Sequence, residues 1–424
     1  MDQIITPSTG LIGTVQLPPD KSIAHRAAIF AALCKGKSQI VNFPDSADPQ
    51  STLACLRQLG VSIEEADGIL YIEGRGLFGF DAPSEPLDCG NSGTTMRLLA
   101  GVLAGQPFDS VLTGDESLRS RPMERIAKPL RQMGADISLA DGTAPIQITG
   151  GQTLQGMTYR LPVASAQVKS CVLLAGLHAE GETTVVETTP SRDHTERMLG
   201  MDVVEIGGER HLSVRGGQQP ASGTWAVPRD ISAAAFLLVA ASITPYSNVE
   251  MRGVGLNPSR AGIIDVLQAM GASIDISEER EHSFEPLANL DVRSSKLQGV
   301  TIDGPLIPNL IDEIPVLAVA ATQAEGRTEI RDAEELRVKE TDRIEAIATN
   351  LRALGAEVET FDDGLAIEGP QELSGATVSS FHDHRIAMAS AVAGLVASGK
   401  TTISGAEAAA ISFPSFFDTL SELQ

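Results

Sequence analysis

The chain has 424 residues, of which 42% are apolar, 21% charged and 4% aromatic, with a formal net charge of −23. That length suits two or three domains with cores of their own, while the acidic balance and scarce aromatics exclude a general nucleic-acid binder. No apolar run reaches the roughly 18–20 residues of a membrane span, and the opening residues do not read as a secretory signal. The stretch 231–242 is shorter and reads as a core helix. Cys34, Cys55, Cys89 and Cys171 have no CxxC spacing, so reduced thiols and a cytoplasmic α/β protein are expected, with no metal site.

In chain order, residues 1–18 supply a strand with no helix of its own. GTVQLPPD (13–20) turns Val15 and Leu17 to one face and leads into DKSIAHR (20–26). There Asp20 can cap a helix, Ser22 and Arg26 lie four apart, and Lys21 stands beside them. LRQLGV (56–61) ends a second helix, and 61–74 reads as paired strands turning at Asp67-Gly68. GNSGTTMR (90–97) is flexible enough to aim backbone N–H groups at an anion, with Arg97 nearby. Arg121-Pro122 suits a helix start, with Met123, Ile126, Leu130 and Met133 as its buried stripe and a kink or break expected at Pro129. GMTYRLPVAS leads into SAQVKS (165–170), and GTWAVPRD leads into RDISAAAF (229–236). IDEIPVLA (311–318) puts Asp312 and Glu313 before an apolar helix, either as plain caps or as chemistry. RVKETDRI (337–344) crowds Lys339, Glu340 and Arg343 ahead of Ile344, Ile347, Leu351 and Leu354. HDHR (382–385) offers a His-x-His pair, but no other cluster supports a metal.

These elements repeat. Six polar heads recur roughly 65–82 residues apart, and glycine-terminated helix ends fall between them at 56–61, 130–135, 197–202, 267–272 and 351–356. The N-terminal strand is expected to complete the last repeat, whose closing strands are missing. Two groups of three repeats follow, 19–227 and 1–18 with 228–424, joined by a hinge near 18–19 and 228, with a site expected in the cleft between them. Lys21, Arg26, Arg97, Arg121, Arg192, Lys339, Arg343 and Arg385 at helix heads of an acidic protein point to a pocket for a multiply anionic ligand.

The ordered set LPPDKSIAHR, GNSGTTMRLL, RPM, SAQVKS, VPRDISAAAF, NPSRAG, LIDEIP, RVKETDRI, DHRIAMA and SFPSFF resembles the 5-enolpyruvylshikimate-3-phosphate synthases over nearly the whole chain. The resemblance implies a two-domain inside-out α/β barrel of six βαβαββ units, three per domain. It implies transfer of the enolpyruvyl group of phosphoenolpyruvate to the 5-hydroxyl of shikimate 3-phosphate, with no cofactor or metal, in a monomer. By position, Lys21, Ser22, Arg26, Ser165, Ala166, Gln167, Arg192, Asp312 and Lys339 correspond to the shikimate 3-phosphate site. Lys21, Asn91, Gly93, Arg121, Gln167, Glu340, Arg343, His384 and Arg385 correspond to the phosphoenolpyruvate site. Asp312 is then the base for the 5-hydroxyl, Glu340 or Lys21 the proton donor, and His384 lines the site.

Ala166, Ala410 and Glu335 depart from the best-known bacterial pattern, and Arg192 could compensate. These departures resemble the more divergent class, so moderate tolerance of the herbicide glyphosate is expected. The related transferase acting on UDP-N-acetylglucosamine places a cysteine before its Arg-Pro motif, and GDESLRSRP (114–122) has none. A non-catalytic anion binder would have no need of both an acid and a base.

Overall fold

The computed structural model describes residues 1–424. It contains six small sheets, five of four strands and one of three. Each four-stranded sheet follows one rule, seen in the second. Leu87–Asp88 runs parallel to Ser110–Thr113, which is antiparallel to Thr143–Thr149, which pairs in turn with Asp136–Ala140. The parallel pair needs a crossover, and a helix supplies it; the antiparallel pair needs only a tight turn. In the first repeat that turn is Asp67-Gly68, with both residues at positive φ (53° and 71°), as a two-residue hairpin requires. The repeated α/β architecture expected from the heads is borne out.

The chain forms two compact units. One comprises Pro19–Val227 with Glu281–Glu285, and the other Met1–Pro18, Pro228–Arg280 and Pro286–Gln424. The first, here the inserted unit, contains the strand Thr224–Ala226, which pairs with Gln39–Val41 of the first repeat. The second, the discontinuous unit, contains Ile12–Val15, which pairs with Asn248–Met251. Asp2–Ile5 pairs antiparallel with Thr401–Ser404 and completes the sixth sheet. Residues 1–18 therefore supply two strands rather than one.

Each unit packs its core around three helices that begin at the polar heads. In the discontinuous unit these are Ile231–Ile243, Ile314–Thr322 and His384–Val396. They are apolar on every side, and nearly every residue is buried, the pattern of a central rather than a surface helix. Phe236, Leu237, Leu317, Val319, Val392 and Leu395 sit in that core, each contributing about 1.5–3 kcal/mol by burial. In the inserted unit the helices are Lys21–Leu33, Gly93–Leu103 and Ala166–Gly176, with Phe30, Leu33, Leu99 and Leu173 among the buried side chains.

Three local readings are corrected. The helix after Arg121 starts at Glu124 and runs through Pro129 to Gln132 without a break. Arg121 itself closes the short helix Glu116–Ser120, so Pro122 lies in the link. The helical turns Gly304–Thr322 are long and apolar enough to cross a membrane, which the sequence reading did not anticipate because Asp312 and Glu313 interrupt them. Those turns change from α to 3-10 at Ile311–Glu313, and Leu310, Ile314 and Leu317 are core residues.

Candidate functional site

In the inserted unit, three helix starts meet through side chains. Asp20 caps Lys21–Leu33 by accepting from the Ile23 N–H at 2.8 Å, and Lys21 Nζ pairs with Asp48 Oδ2 at 3.0 Å. Ser92 caps Gly93–Leu103, and Ser165 caps Ala166–Gly176. Gln167 ties the second and third heads together. Its Nε2 donates to Thr94 Oγ1 at 3.0 Å, and its Oε1 accepts from Arg97. Arg121 donates to Asn91 Oδ1 at 2.7 Å, and Asn91 donates to Asp115 Oδ2 at 2.7 Å. A methyl group built at Gly93 would lie 3.5 Å from both Arg97 Nη1 and Arg121 Nη1. Gly93 therefore lines a gap flanked by two guanidinium groups.

Arg26 is buried beneath this surface. It donates to Thr195 Oγ1 at 2.8 Å, to the Ser22 carbonyl at 2.9 Å and to Ser170 Oγ at 2.9 Å. Burial pushes its pKa down to about 10, opposed by Glu196 and Asp20 and assisted by Arg192. Arg192 thus lies in the same field, as does Glu285, which bonds His194 Nδ1 at 2.7 Å. Ala166 begins its helix, and its carbonyl accepts from Ser170 Oγ at 2.6 Å.

In the discontinuous unit the heads meet at Asp312. Glu313 is the N-cap of Ile314–Thr322 but makes no side-chain cap bond. Asp312 Oδ1 lies 3.0 Å from Arg343 and 3.7 Å from Lys339, while Oδ2 lies 3.9 Å from Arg260 and 3.8 Å from Arg385. Four cations around one carboxylate favour its charged form. Arg343 is buried and also holds Asp383 at 2.8 Å and Glu340 at 2.6 Å. Burial alone would lower its pKa, but Asp383, Glu340 and Asp312 together raise it above the ordinary arginine range. Arg385 Nη1 donates to the Asp312 carbonyl at 3.1 Å. His384 is buried at the start of its helix. Ala410 is exposed in the turn Ala406–Ile411, and Glu335 lies in the turn Glu334–Val338.

Each unit therefore presents a polar floor with cations over it, and one of the two holds a carboxylate ringed by cations. The chain matches the family described as EPSP synthase (3-phosphoshikimate 1-carboxyvinyltransferase) over residues 5–420. It belongs to the EPSP synthase family. A relative named 3-phosphoshikimate 1-carboxyvinyltransferase from Salinibacter ruber is 61% identical over 427 residues, covering 100% of this chain and 99% of the relative. One from Desulfitobacterium hafniense is 52% identical over 424 residues, covering 99% and 97%. An EPSP synthase structure from Acinetobacter baumannii superposes with a TM-score of 0.88 at 46% identity, covering 100% of this chain and 98% of that one. The enolpyruvyl transferase NikO from Streptomyces tendae shares the fold, with a TM-score of 0.77 at 20% identity over 99% and 96%.

The polar floor also includes residues that sequence reasoning did not single out. Lys169 is fully buried, 3.0 Å from Glu187 and 2.7 Å from Glu196, and Arg210 reaches Glu187 at 3.3 Å. Burial raises the Glu196 pKa, with Lys169 pulling the other way. Arg260 and Ser232 join Glu313 beneath Asp312. Asp383 is one of three carboxylate acceptors for Arg343, with Asp312 and Glu340, and also caps its own helix. A lysine in an apolar helix and an arginine between turn residues carry no periodic signal. Only their shared presence in the NPSRAG and SAQVKS motifs could have drawn notice.

Proposed function

We propose that this protein transfers the enolpyruvyl group of phosphoenolpyruvate to the 5-hydroxyl of shikimate 3-phosphate, releasing inorganic phosphate. The observation that carries the reading is Asp312 held among Arg260, Lys339, Arg343 and Arg385, within a chain of the EPSP synthase family. The reaction needs a base for a hydroxyl, an acid for a methylene carbon, and cations for two carboxylates and two phosphates.

Asp312 takes the proton of the 5-hydroxyl as that oxygen bonds to C2 of phosphoenolpyruvate, and C3 gains a proton. The resulting tetrahedral adduct then breaks its C2–O bond to phosphate and loses a proton from C3. Atoms balance as enol ether plus phosphate. Arg121, Arg343, Arg385 and Lys21 hold the anions; planar guanidinium groups match carboxylate and phosphate oxygens in pairs. Lys21, Ser22, Arg26, Ser165, Gln167, Arg192 and Lys339 serve shikimate 3-phosphate, with Ala166 contributing only backbone. Asn91 and Gly93 shape the phosphoenolpyruvate site, and His384 lines it.

The ion pairs suggest how the carboxylates are switched on. Without substrate, Glu340 and Asp312 are both paired with Arg343. An incoming substrate carboxylate competes for Arg343. Glu340 then loses its cation and gains affinity for a proton, which equips it to deliver one to C3 and later remove it. Lys21 carries a proton already and is the other donor. Deuterium incorporation at C3 separates the two. Loss in Glu340→Gln, with retention in Lys21→Arg, assigns the step to Glu340.

The decisive experiment is phosphate release from phosphoenolpyruvate with and without shikimate 3-phosphate. Release that requires shikimate 3-phosphate and vanishes in Asp312→Ala supports the reading. Release with UDP-N-acetylglucosamine instead would replace it. The reading places the enzyme in the cytoplasm as a monomer acting on two small anions. Four free, buried cysteines agree with a reducing compartment.

A further inference from the structure

Beneath Lys21 and the Gly93 turn runs a ladder of buried side chains that no step above uses. Lys21 and His25 lie four apart on one helix, and Asp48 and Thr52 lie four apart on the helix Ala47–Gln58, so each pair shares a face. One rung is charged, Lys21 Nζ to Asp48 Oδ2 at 3.0 Å. The next is neutral, His25 Nδ1 to Thr52 Oγ1 at 2.7 Å. Thr52 Oγ1 continues to Thr95 Oγ1 at 2.7 Å, and Thr95 Oγ1 donates to Ser92 Oγ at 2.8 Å. Ser92 Oγ also accepts the Thr95 N–H at 3.1 Å, which caps the helix behind Gly93. His25, Thr52, Ser92 and Thr95 have no exposed surface.

A stability account alone does not explain the arrangement. Replacing a bonded pair of buried hydroxyls with apolar groups of the same shape is close to neutral, so fold stability does not require them. What they add is direction. Each hydroxyl fixes the next, and the run His25, Thr52, Thr95 and Ser92 is bonded at every link, while His25 Nε2 and Asp48 Oδ1 find no partner. The two ends of the ladder are Lys21 and the turn Gly90–Gly93.

We propose that Asp48, His25, Thr52 and Thr95 are positioning residues that set the Lys21 ammonium and the Gly93 turn at a spacing matched to phosphoenolpyruvate. The inference rests on the functional reading above. The test is phosphate release by the full-length protein at saturating shikimate 3-phosphate with phosphoenolpyruvate varied. Thr52→Val and Thr95→Val should each raise the KM for phosphoenolpyruvate about tenfold while kcat stays within about twofold, because orientation is lost and chemistry is not. Thr52→Ser and Thr95→Ser should restore the KM, which a simple packing role would not require. A wild-type KM in both valine variants, or a joint fall in KM and kcat that serine does not rescue, overturns the proposal. If Thr52→Val does not fold, Thr95→Val carries the same expectation alone. Wild-type protein that shows no release dependent on shikimate 3-phosphate would instead overturn the functional reading, and this inference with it.

Discussion

Asp312 illustrates what a residue shows in sequence and what it hides. A carboxylate ahead of an apolar helix is conspicuous, yet its four cations come from positions 260, 339, 343 and 385, which no local spacing connects to position 312. Asp312→Asn keeps the shape and removes the base; kcat should fall by about 10²–10⁴ with fold intact by circular dichroism. Gly93→Ala is a finer probe. Its methyl meets Arg97 and Arg121 at 3.5 Å without a clash, so thermal stability should barely change. The KM for phosphoenolpyruvate should rise about tenfold, because a methyl standing between two guanidinium groups excludes part of the anion they share. An unchanged KM would remove Gly93 from that site. Two of the buried histidines, His25 and His178, contribute to a loss of stability in acid. Burial holds His25 well below 6.5, and Lys21 and Arg26 add to that; burial also lowers His178. Below 6.5 the unfolded chain takes up protons that the native protein does not, so stability falls as pH drops. Each histidine contributes up to about 1.4 kcal/mol per pH unit in that window. Urea midpoints at pH 7.5 and 5.5 check the sign, and His178→Gln should flatten the slope.

At the scale of elements, much of the pattern was legible because one physical device recurs. Every helix end flagged by a leucine or methionine and a glycine closes in the same way. The glycine takes positive φ (81° at Gly60, 94° at Gly355), and the next N–H reaches back to the carbonyl five residues earlier. Val61 bonds Leu56 at 3.0 Å, and Ala356 bonds Leu351 at 2.9 Å. Gly355→Ala should cost about 1–2 kcal/mol through backbone strain alone, since its new methyl would approach only the Glu372 carbonyl, at 4.0 Å. A denaturant curve with unchanged slope and lower midpoint would report it. Of the kink or break expected at Pro129, the break does not occur, since Pro129 lies inside the helix Glu124–Gln132. The sequence reading failed at Ile311–Glu313 because a 3-10 turn between helices leaves no periodic trace.

At the scale of the molecule, the chain visits the inserted unit twice, first as Pro19–Val227 and again as Glu281–Glu285. The brief return carries Glu285 to His194 and lets Ser283 Oγ accept from the Ala226 N–H at 2.9 Å. Neither contact was legible, since both join residues far apart in sequence at a hairpin tip with no motif. Glu285→Ala should leave His194 buried beside an empty place and lower the thermal midpoint by several degrees. A midpoint unchanged by that substitution would make the return incidental. The antiparallel pairing of Asp2–Ile5 with Thr401–Ser404 bears on how the protein is born. Asp2–Ile5 leaves the ribosome long before Thr401–Ser404 and has no partner until the sixth repeat follows it. By then the long uninterrupted stretch between Pro19 and Val227 has been free to collapse while residues 228–400 were being made. Nascent chains stalled before residue 401 should therefore carry a protease-resistant middle and a digestible beginning.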